Sequence, residues 1–283
     1  MSKKEYKSFY KTVSGNEGNK CNYPTRLDTY GCGCQHDCSY CYAKSLLSFR
    51  NLWDNQNPSV ADIEKIKRKI SKIDKSSVSA IRLGGMTDCF QPLEATERVT
   101  YETIKLLNES RIPYLIVTKS SLVARDDYIE ILDKDLAHIK ITVTFTDDDL
   151  YKRCGVEKAD LPSRRIGAIE KLQACGFDVQ LRLSPFIEEF VDLDVINSVK
   201  CDKILVEFLR VNSWVKKWFD IDYSNYTVKQ SGYLHLPLYE KINMISRITG
   251  FKEITVCEDE SVAYNYWKNY FNPNSEDCCN LRK

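Results

Sequence analysis

Little in the sequence advertises a partner. Its 41 Lys and Arg against 40 Asp and Glu leave a net charge of +1, so no global field points to a polyanion, and nucleic-acid binding would have to come from a local patch. No apolar run reaches the roughly 18 residues of a membrane span. The segment Met1–Lys11 lacks the apolar core of a signal peptide. We therefore expect a cytoplasmic chain, away from membranes, with its thiols reduced. No repeat, low-complexity tract or Gly/Ser linker marks a cut through the core. No G-x-G-x-x-G follows the first strand either, which argues against a doubly wound dinucleotide fold.

What is present is enough for a large core and an unusual amount of sulfur. The 283 residues, 43% hydrophobic and 29% charged, suit one large α/β domain or two small ones. Twelve cysteines exceed what an ordinary intracellular enzyme needs and are too dispersed for a disulfide scaffold. Reduced, they can ligate metal or a cluster, take part in redox or radical chemistry, or fill the core.

Hydrophobic period alternates strand with helix from about residue 25 to 270. After a short strand-like stretch at Thr25–Tyr30, the pattern predicts strands at Val78–Leu83, Tyr114–Thr118, His138–Phe145, Phe177–Leu183 and Lys203–Leu209. Helices are predicted at Pro58–Ile73, Thr96–Asn108, Asp127–Leu132, Ser163–Cys175 and Leu193–Val199. Six strands joined by crossovers imply a parallel sheet, and at this length a partial (β/α)6 TIM-like barrel of α/β class. A seventh unit, Leu238–Thr249 then Glu253–Cys257, is positioned to extend it. The expected organisation is an N-terminal extension over 1–24, a core barrel over 25–211 and a C-terminal cap or extension over 212–283. In such barrels the chemistry lies at the carboxyl ends of the strands.

The strongest local signal is Cys34-Gln-His-Asp-Cys38-Ser-Tyr-Cys41. Three thiolates within eight residues can share one centre, and soft sulfur selects iron–sulfur, zinc or copper(I). Three ligands on a four-iron cube leave one iron open for substrate or cofactor. A structural zinc completed by Cys32 or His36 is the competing reading.

With an aromatic Tyr40 before its last cysteine, this C-x3-C-x2-C loop resembles the signature of the radical S-adenosylmethionine (SAM) superfamily, whose core is a full or partial β/α barrel. Gly84-Gly85-Met86-Thr87-Asp88-Cys89-Phe90-Gln91-Pro92 and Val117-Thr118-Lys119-Ser120 narrow it to the spore photoproduct lyase-like branch, related to DNA repair photolyases. The resemblance implies a [4Fe-4S] cluster on Cys34, Cys38 and Cys41, with SAM chelating the fourth iron. It implies reductive cleavage of SAM to a 5′-deoxyadenosyl radical, with reduced flavodoxin or ferredoxin as electron donor. The protein then supplies positioning and exclusion of water.

The same resemblance places Gly84, Gly85, Met86 and Thr87 against the methionyl amine, where glycine lets backbone approach a ligand. Thr87 and Asp88 match a polar pair near the cofactor, Asp88 equally suiting a cap. Lys119 matches a lysine that meets the methionyl carboxylate, and Thr142 a hydroxyl near the ribose. Arg182 and Ser184 end strand five, and Glu207 and Arg210 end strand six, where all four can face the barrel mouth. Where the branch has a hydrogen-donating cysteine this chain has Met86, which has no S–H to give. Cys89, three residues on, is the contested substitute, its alternative being a buried small hydrophobe.

Cys257, Cys278 and Cys279 form a second sulfur group. A strand end and a tail can meet at a barrel mouth and hold a second iron–sulfur cluster or zinc, with Cys21 or Cys32 as fourth ligand. Free thiols on a mobile tail are the alternative. Trp214, Trp218, Phe219, Tyr223, Tyr226, Tyr233 and Tyr239 interleave with Lys216, Lys217 and Lys229, which suits stacking on bases and contact with phosphates, or simply packing of a cap. Three functions are left in contention. The leading one is a radical SAM enzyme, expected to be a monomer, that repairs or modifies nucleic acid or nucleotides. The others are a radical SAM enzyme acting on peptide or protein, and a zinc-stabilised binding protein without catalysis.

Overall fold

A computed structural model describes residues 6–11, 20–74 and 79–281. Most of the expected N-terminal extension lies outside these residues, as does Val78, the expected start of a core strand. The strands in chain order are β1 (Phe9–Lys11), β2 (Thr25–Leu27), β3 (Tyr30–Gly31), β4 (Ser59–Val60), β5 (Ile81–Leu83), β6 (Tyr114–Thr118), β7 (Ala137–Val143), β8 (Asp178–Phe186), β9 (Lys203–Phe208), β10 (Val228–Gln230), β11 (Tyr233–His235) and β12 (Glu253–Val256). Eight form one sheet in the order β1-β2-β5-β6-β7-β8-β9-β12. From β2 onward every neighbour is parallel, and β1 adds antiparallel at the first edge.

This is the partial barrel expected, lengthened by a seventh parallel strand, β12, from the 212–283 segment. Parallel pairing demands crossovers, and helices Val99–Glu109, Asp126–Ile131, Pro162–Ala174, Leu193–Ser198 and Leu238–Ser246 supply them. Pro162 sits in the first turn of its helix, where its missing N–H costs nothing.

One boundary is corrected. The helix expected from Pro58 begins at Ile63, because Asp62 caps it, accepting from the N–H groups of Glu64 and Lys65. Ser59–Val60 pairs instead with Tyr30–Gly31.

Period-two alternation in the sheet decides what faces inward. In β7, Ile139, Ile141 and Val143 join the apolar core, whereas His138, Lys140 and Thr142 are buried polar residues on the opposite face. Continuing that face across the neighbouring strands gives Arg82, Leu115, Val117, Arg182, Ser184 and Glu207, all of which line one cavity of about 250 Å3.

The segment after β9 forms helix Ser213–Trp218 and the β10–β11 hairpin. Phe219 and Tyr226 are buried in the core, while Lys216 lies over Tyr223 and Lys217 over Trp214. Part of this aromatic run is therefore packing. None of it lines the cavity.

Candidate active site

Cys34, Cys38 and Cys41 lie in the loop between β3 and the helix Tyr42–Phe49. Cys41 is the N-cap of that helix, its sulfur accepting from Lys44 N–H at 3.5 Å. All twelve cysteines are free thiols. Burial pushes the pKa of all three loop thiols up, so each holds its proton until a metal displaces it. Lys119 opposes that rise at Cys38 and Cys41, and Lys44 at Cys41. The helix N-terminus favours negative charge at the same sulfur.

Glu157, which the sequence reading did not single out, joins this loop to the barrel. Its side chain is fully buried and ion-pairs with Arg165 and, at 3.1 Å, with Lys119 Nζ. Tyr40 donates its hydroxyl to Glu157, and the Cys38 thiol faces the same oxygen at 3.6 Å. Lys119 also donates to Thr144 Oγ1 at 2.8 Å and lies 5.3 Å from the Tyr40 ring centre. Desolvation, with the Arg165 and Arg182 charges, pushes Lys119 down to about 7 against the pull of Cys38.

Arg182 pairs with Glu207 through Nε at 2.9 Å and Nη2 at 2.5 Å, and donates to Thr142 Oγ1 at 3.1 Å. Ser184 Oγ lies 3.3 Å from Glu207. Arg210 pairs with Asp259 at 2.7 Å and lies over Tyr42.

The glycine turn has structural partners of its own. Asp28, also missed in the sequence, accepts from Gly85 N–H at 2.5 Å and from Met86 N–H at 3.1 Å. Gly84 has φ +82°, a left-handed conformation, and a side chain on Gly85 would meet the Tyr10 hydroxyl at 2.3 Å. Backbone conformation at Gly84 and side-chain packing at Gly85 thus each call for glycine. Asp88 accepts from Phe90 N–H, Thr118 Oγ1 and Lys119 N–H at 2.7–2.8 Å and faces His36 at 3.2 Å. Burial raises its pKa, but His36 and these donors outweigh it and hold the carboxyl low.

The cavity brings together Tyr40, Lys119, Arg182 and Ser184 with Cys38, Cys41, Cys257, Cys278 and Cys279. It also collects Cys21 and Arg210. Gly84, Gly85, Met86, Thr87, Asp88, Thr142 and Cys34 stand behind that wall rather than on it. Cys89 is fully buried in the apolar core. That placement fits the buried small hydrophobe and not a hydrogen donor, because a thiol sealed in the core does not reach a substrate in the cavity.

The radical SAM superfamily matches residues 29–193, more than half of the chain. The chain belongs to the radical SAM superfamily. Among curated relatives, an uncharacterized protein of Methanocaldococcus jannaschii is 29% identical over 171 residues, 58% of this chain and 61% of that one. An uncharacterized protein of Mycobacterium tuberculosis is 23% identical over 56% of this chain and 49% of its own. The chain thus spans only about half to three fifths of these relatives. Among solved structures, spore photoproduct lyase complexed with dinucleoside spore photoproduct aligns with TM-score 0.60 at 11% identity, covering 82% of this chain and 77% of that one. SuiB of Streptococcus suis bound to its precursor peptide SuiA aligns with TM-score 0.55 at 15% identity, covering 87% and 52%. At such identities the likeness is one of fold.

Membership in the radical SAM superfamily implies an enzyme with a [4Fe-4S] cluster and SAM, and the loop fits the cluster. Its donors are all sulfur, with Cys34 and Cys38 buried and Cys41 partly buried, and Cys38 and Cys41 are close to the cation Lys119, Cys41 also to Lys44. Among the described residues, no three cysteine sulfurs lie within 4.8 Å of one another. The described trio that does meet that spacing is His235, Glu258 and Asp259. Its carboxylates already hold Lys241 at 2.5 Å and Arg210 at 2.7 Å. No described helix is long and apolar enough to cross a membrane.

Proposed function

We propose that this chain binds a [4Fe-4S] cluster through Cys34, Cys38 and Cys41, binds SAM in the adjoining cavity, and uses the pair to modify or repair a nucleic acid or nucleotide. When bound and reduced, the cluster and SAM supply a carbon-centred radical that abstracts hydrogen. The observation that carries the reading is the shared wall: Cys38 and Cys41 open on the same cavity as the cation Lys119, whose side chain is largely buried. A buried ammonium is matched to a carboxylate such as the methionyl group of SAM.

The chain's own residues divide the work. Lys119 is held by Glu157 and Thr144, so it is placed before any ligand arrives. The Arg182–Glu207 pair, with Ser184 beside it, offers both donors and acceptors along the inner wall. The buried Tyr40 and Phe219, 5.5 Å apart edge to face, shield the loop from water.

The nucleotide class is favoured by the excess of cations on the cavity wall, seven Lys or Arg against five Asp or Glu, although Arg182 and Arg210 are already paired with Glu207 and Asp259; an excess of cations is what a phosphate-bearing substrate meets. Reduced flavodoxin or ferredoxin is the electron donor in this reading.

Anaerobic reconstitution tests the first half: about four irons per chain on this loop, with methionine and 5′-deoxyadenosine released on reduction and lost in Cys34→Ala. Zinc without iron would sink it. For the second half, binding to a single-stranded oligonucleotide should weaken with salt and with Arg210→Ala. A peptide bound equally well, with no salt dependence, would remove the nucleotide assignment.

A further inference from the structure

A second group of thiols lies outside the C-x3-C-x2-C loop. Cys21 precedes β2, Cys257 follows β12, and Cys278 and Cys279 belong to the C-terminal tail, yet all four line the same cavity. The Cys278 thiol interacts with both Cys257 and Cys279. Cys279 meets the buried Lys140 ammonium, and Cys21 lies in the field of Cys257 and Cys279. The sequence suggested Cys257, Cys278 and Cys279 as a metal site, two of them adjacent in the chain. Here Cys278 and Cys279 are the middle residues of a turn closed by Asn280 N–H to Asp277 O at 3.0 Å. Direction changes at each step of such a turn, which lets neighbouring side chains address one centre.

The tail is fixed, not loose. Asp277 accepts from the Tyr23 hydroxyl and, at 2.9 Å, from Cys279 N–H. Asn22 bonds Glu276 at one edge of the barrel. At the other, Asn280 bonds Glu253, and Lys203 donates to Asn280 O at 3.0 Å. The tail therefore spans from the segment before β2 to β9 and β12, across the gap of an open barrel, and carries its two sulfurs to the inner wall.

We propose that Cys21, Cys257, Cys278 and Cys279 hold a second iron–sulfur cluster, with Lys140 offsetting part of its negative charge. The donor set is all sulfur, the ligand type that selects an iron–sulfur cluster or zinc over hard cations. Four cysteines saturate a [2Fe-2S] or [4Fe-4S] cluster, so this centre offers no open iron. It is an electron carrier or a clamp on the tail, in contrast to the three-cysteine loop across the cavity. The inference stands beside the radical reading and is separable from it.

The decisive protein is the full chain carrying Cys34→Ala, Cys38→Ala and Cys41→Ala, reconstituted anaerobically with iron and sulfide. It should keep about two to four irons and the visible absorption of a cluster, and lose both when Cys257→Ser and Cys278→Ser are added. Cys21→Ser alone, in the same background, should alter the electron paramagnetic resonance spectrum of the reduced protein. No iron in the triple variant, zinc in its place, or iron that survives the added serines overturns the second cluster; an unchanged Cys21→Ser spectrum overturns the ligand set. Circular dichroism establishes that each variant is folded before its iron is counted. If the wild type forms 5′-deoxyadenosine while the triple variant holds no iron, only the second cluster fails. If the triple variant holds iron while the wild type cleaves no SAM, only the radical reading fails.

Discussion

The Glu157 carboxylate faces the Cys38 thiol at 3.6 Å, across 119 positions of chain, inside the protein. A fixed negative charge beside a cluster ligand opposes addition of an electron, since reduction adds negative charge to the same small volume. Arg165 and Lys119 partly offset it.

Glu157→Gln should therefore raise the reduction potential of the cluster on Cys34, Cys38 and Cys41. For a unit charge several ångströms away at an effective dielectric constant near 20, the shift is on the order of 100 mV. Potentiometric titration of the reconstituted protein reads it directly. A potential unchanged or lowered would show that Glu157 serves Arg165 and the fold alone.

Lys119→Met removes the cation at the cavity wall. Losing a hydrogen bond to a charged group costs about 1.5–3 kcal/mol, so SAM should bind roughly 10- to 100-fold more weakly. Anaerobic calorimetry of the iron-loaded protein measures it. Unaltered SAM affinity, with the iron content intact, would place the methionyl carboxylate elsewhere.

Some of this was legible in the sequence and some was not, for physical reasons. Tyr114–Thr118 reads as a strand because it is a compact apolar β-branched and aromatic run, and the structure reproduces its limits. The cysteine loop is legible because its ligands are close in sequence. Glu157, Asp28 and Thr144 are not. Glu157 lies in an irregular segment between two helices, with no periodicity to flag it, and its role depends on Arg165, Lys119 and Tyr40 arriving from three other places. The inward face of β7 is a different case: alternating polar residues usually mark a solvent face, yet His138, Lys140 and Thr142 are all buried because the barrel encloses that face.

The Arg182–Glu207 pair gives a pH signature. Burial raises the Glu207 pKa, but Arg182 outweighs it and holds the carboxyl below its ordinary value. A carboxylate depressed in the folded state adds stability above its unfolded pKa of about 4.3, lost as pH falls through the folded value. Glu207→Gln should cost about 1–3 kcal/mol at neutral pH, and the gap between wild type and variant should narrow below about pH 4. Urea midpoints at several pH values test this; a gap that widens in acid would reverse the sign assigned to the pair.

Glycine contrasts test how the turn after β5 is held. A methyl on Gly85 would lie 2.3 Å from the Tyr10 hydroxyl and 3.0 Å from Arg26 Cδ, under a backbone already tied down by Asp28. Gly85→Ala should destabilise the chain by about 1–3 kcal/mol, the cost of overpacking a filled site. Gly167 sits within the helix Pro162–Ala174 with nothing within 4 Å of an added methyl, so Gly167→Ala should stabilise by about 0.5–1 kcal/mol. The sharper arm is the double variant Gly85→Ala with Tyr10→Phe. Deleting the hydroxyl removes the closest contact but leaves the ring carbon at 3.3 Å, so part of the lost stability should return. If Tyr10→Phe gives no recovery, the Gly85 requirement comes from Arg26 or from a ligand, and loss of SAM affinity out of proportion to stability would identify the ligand.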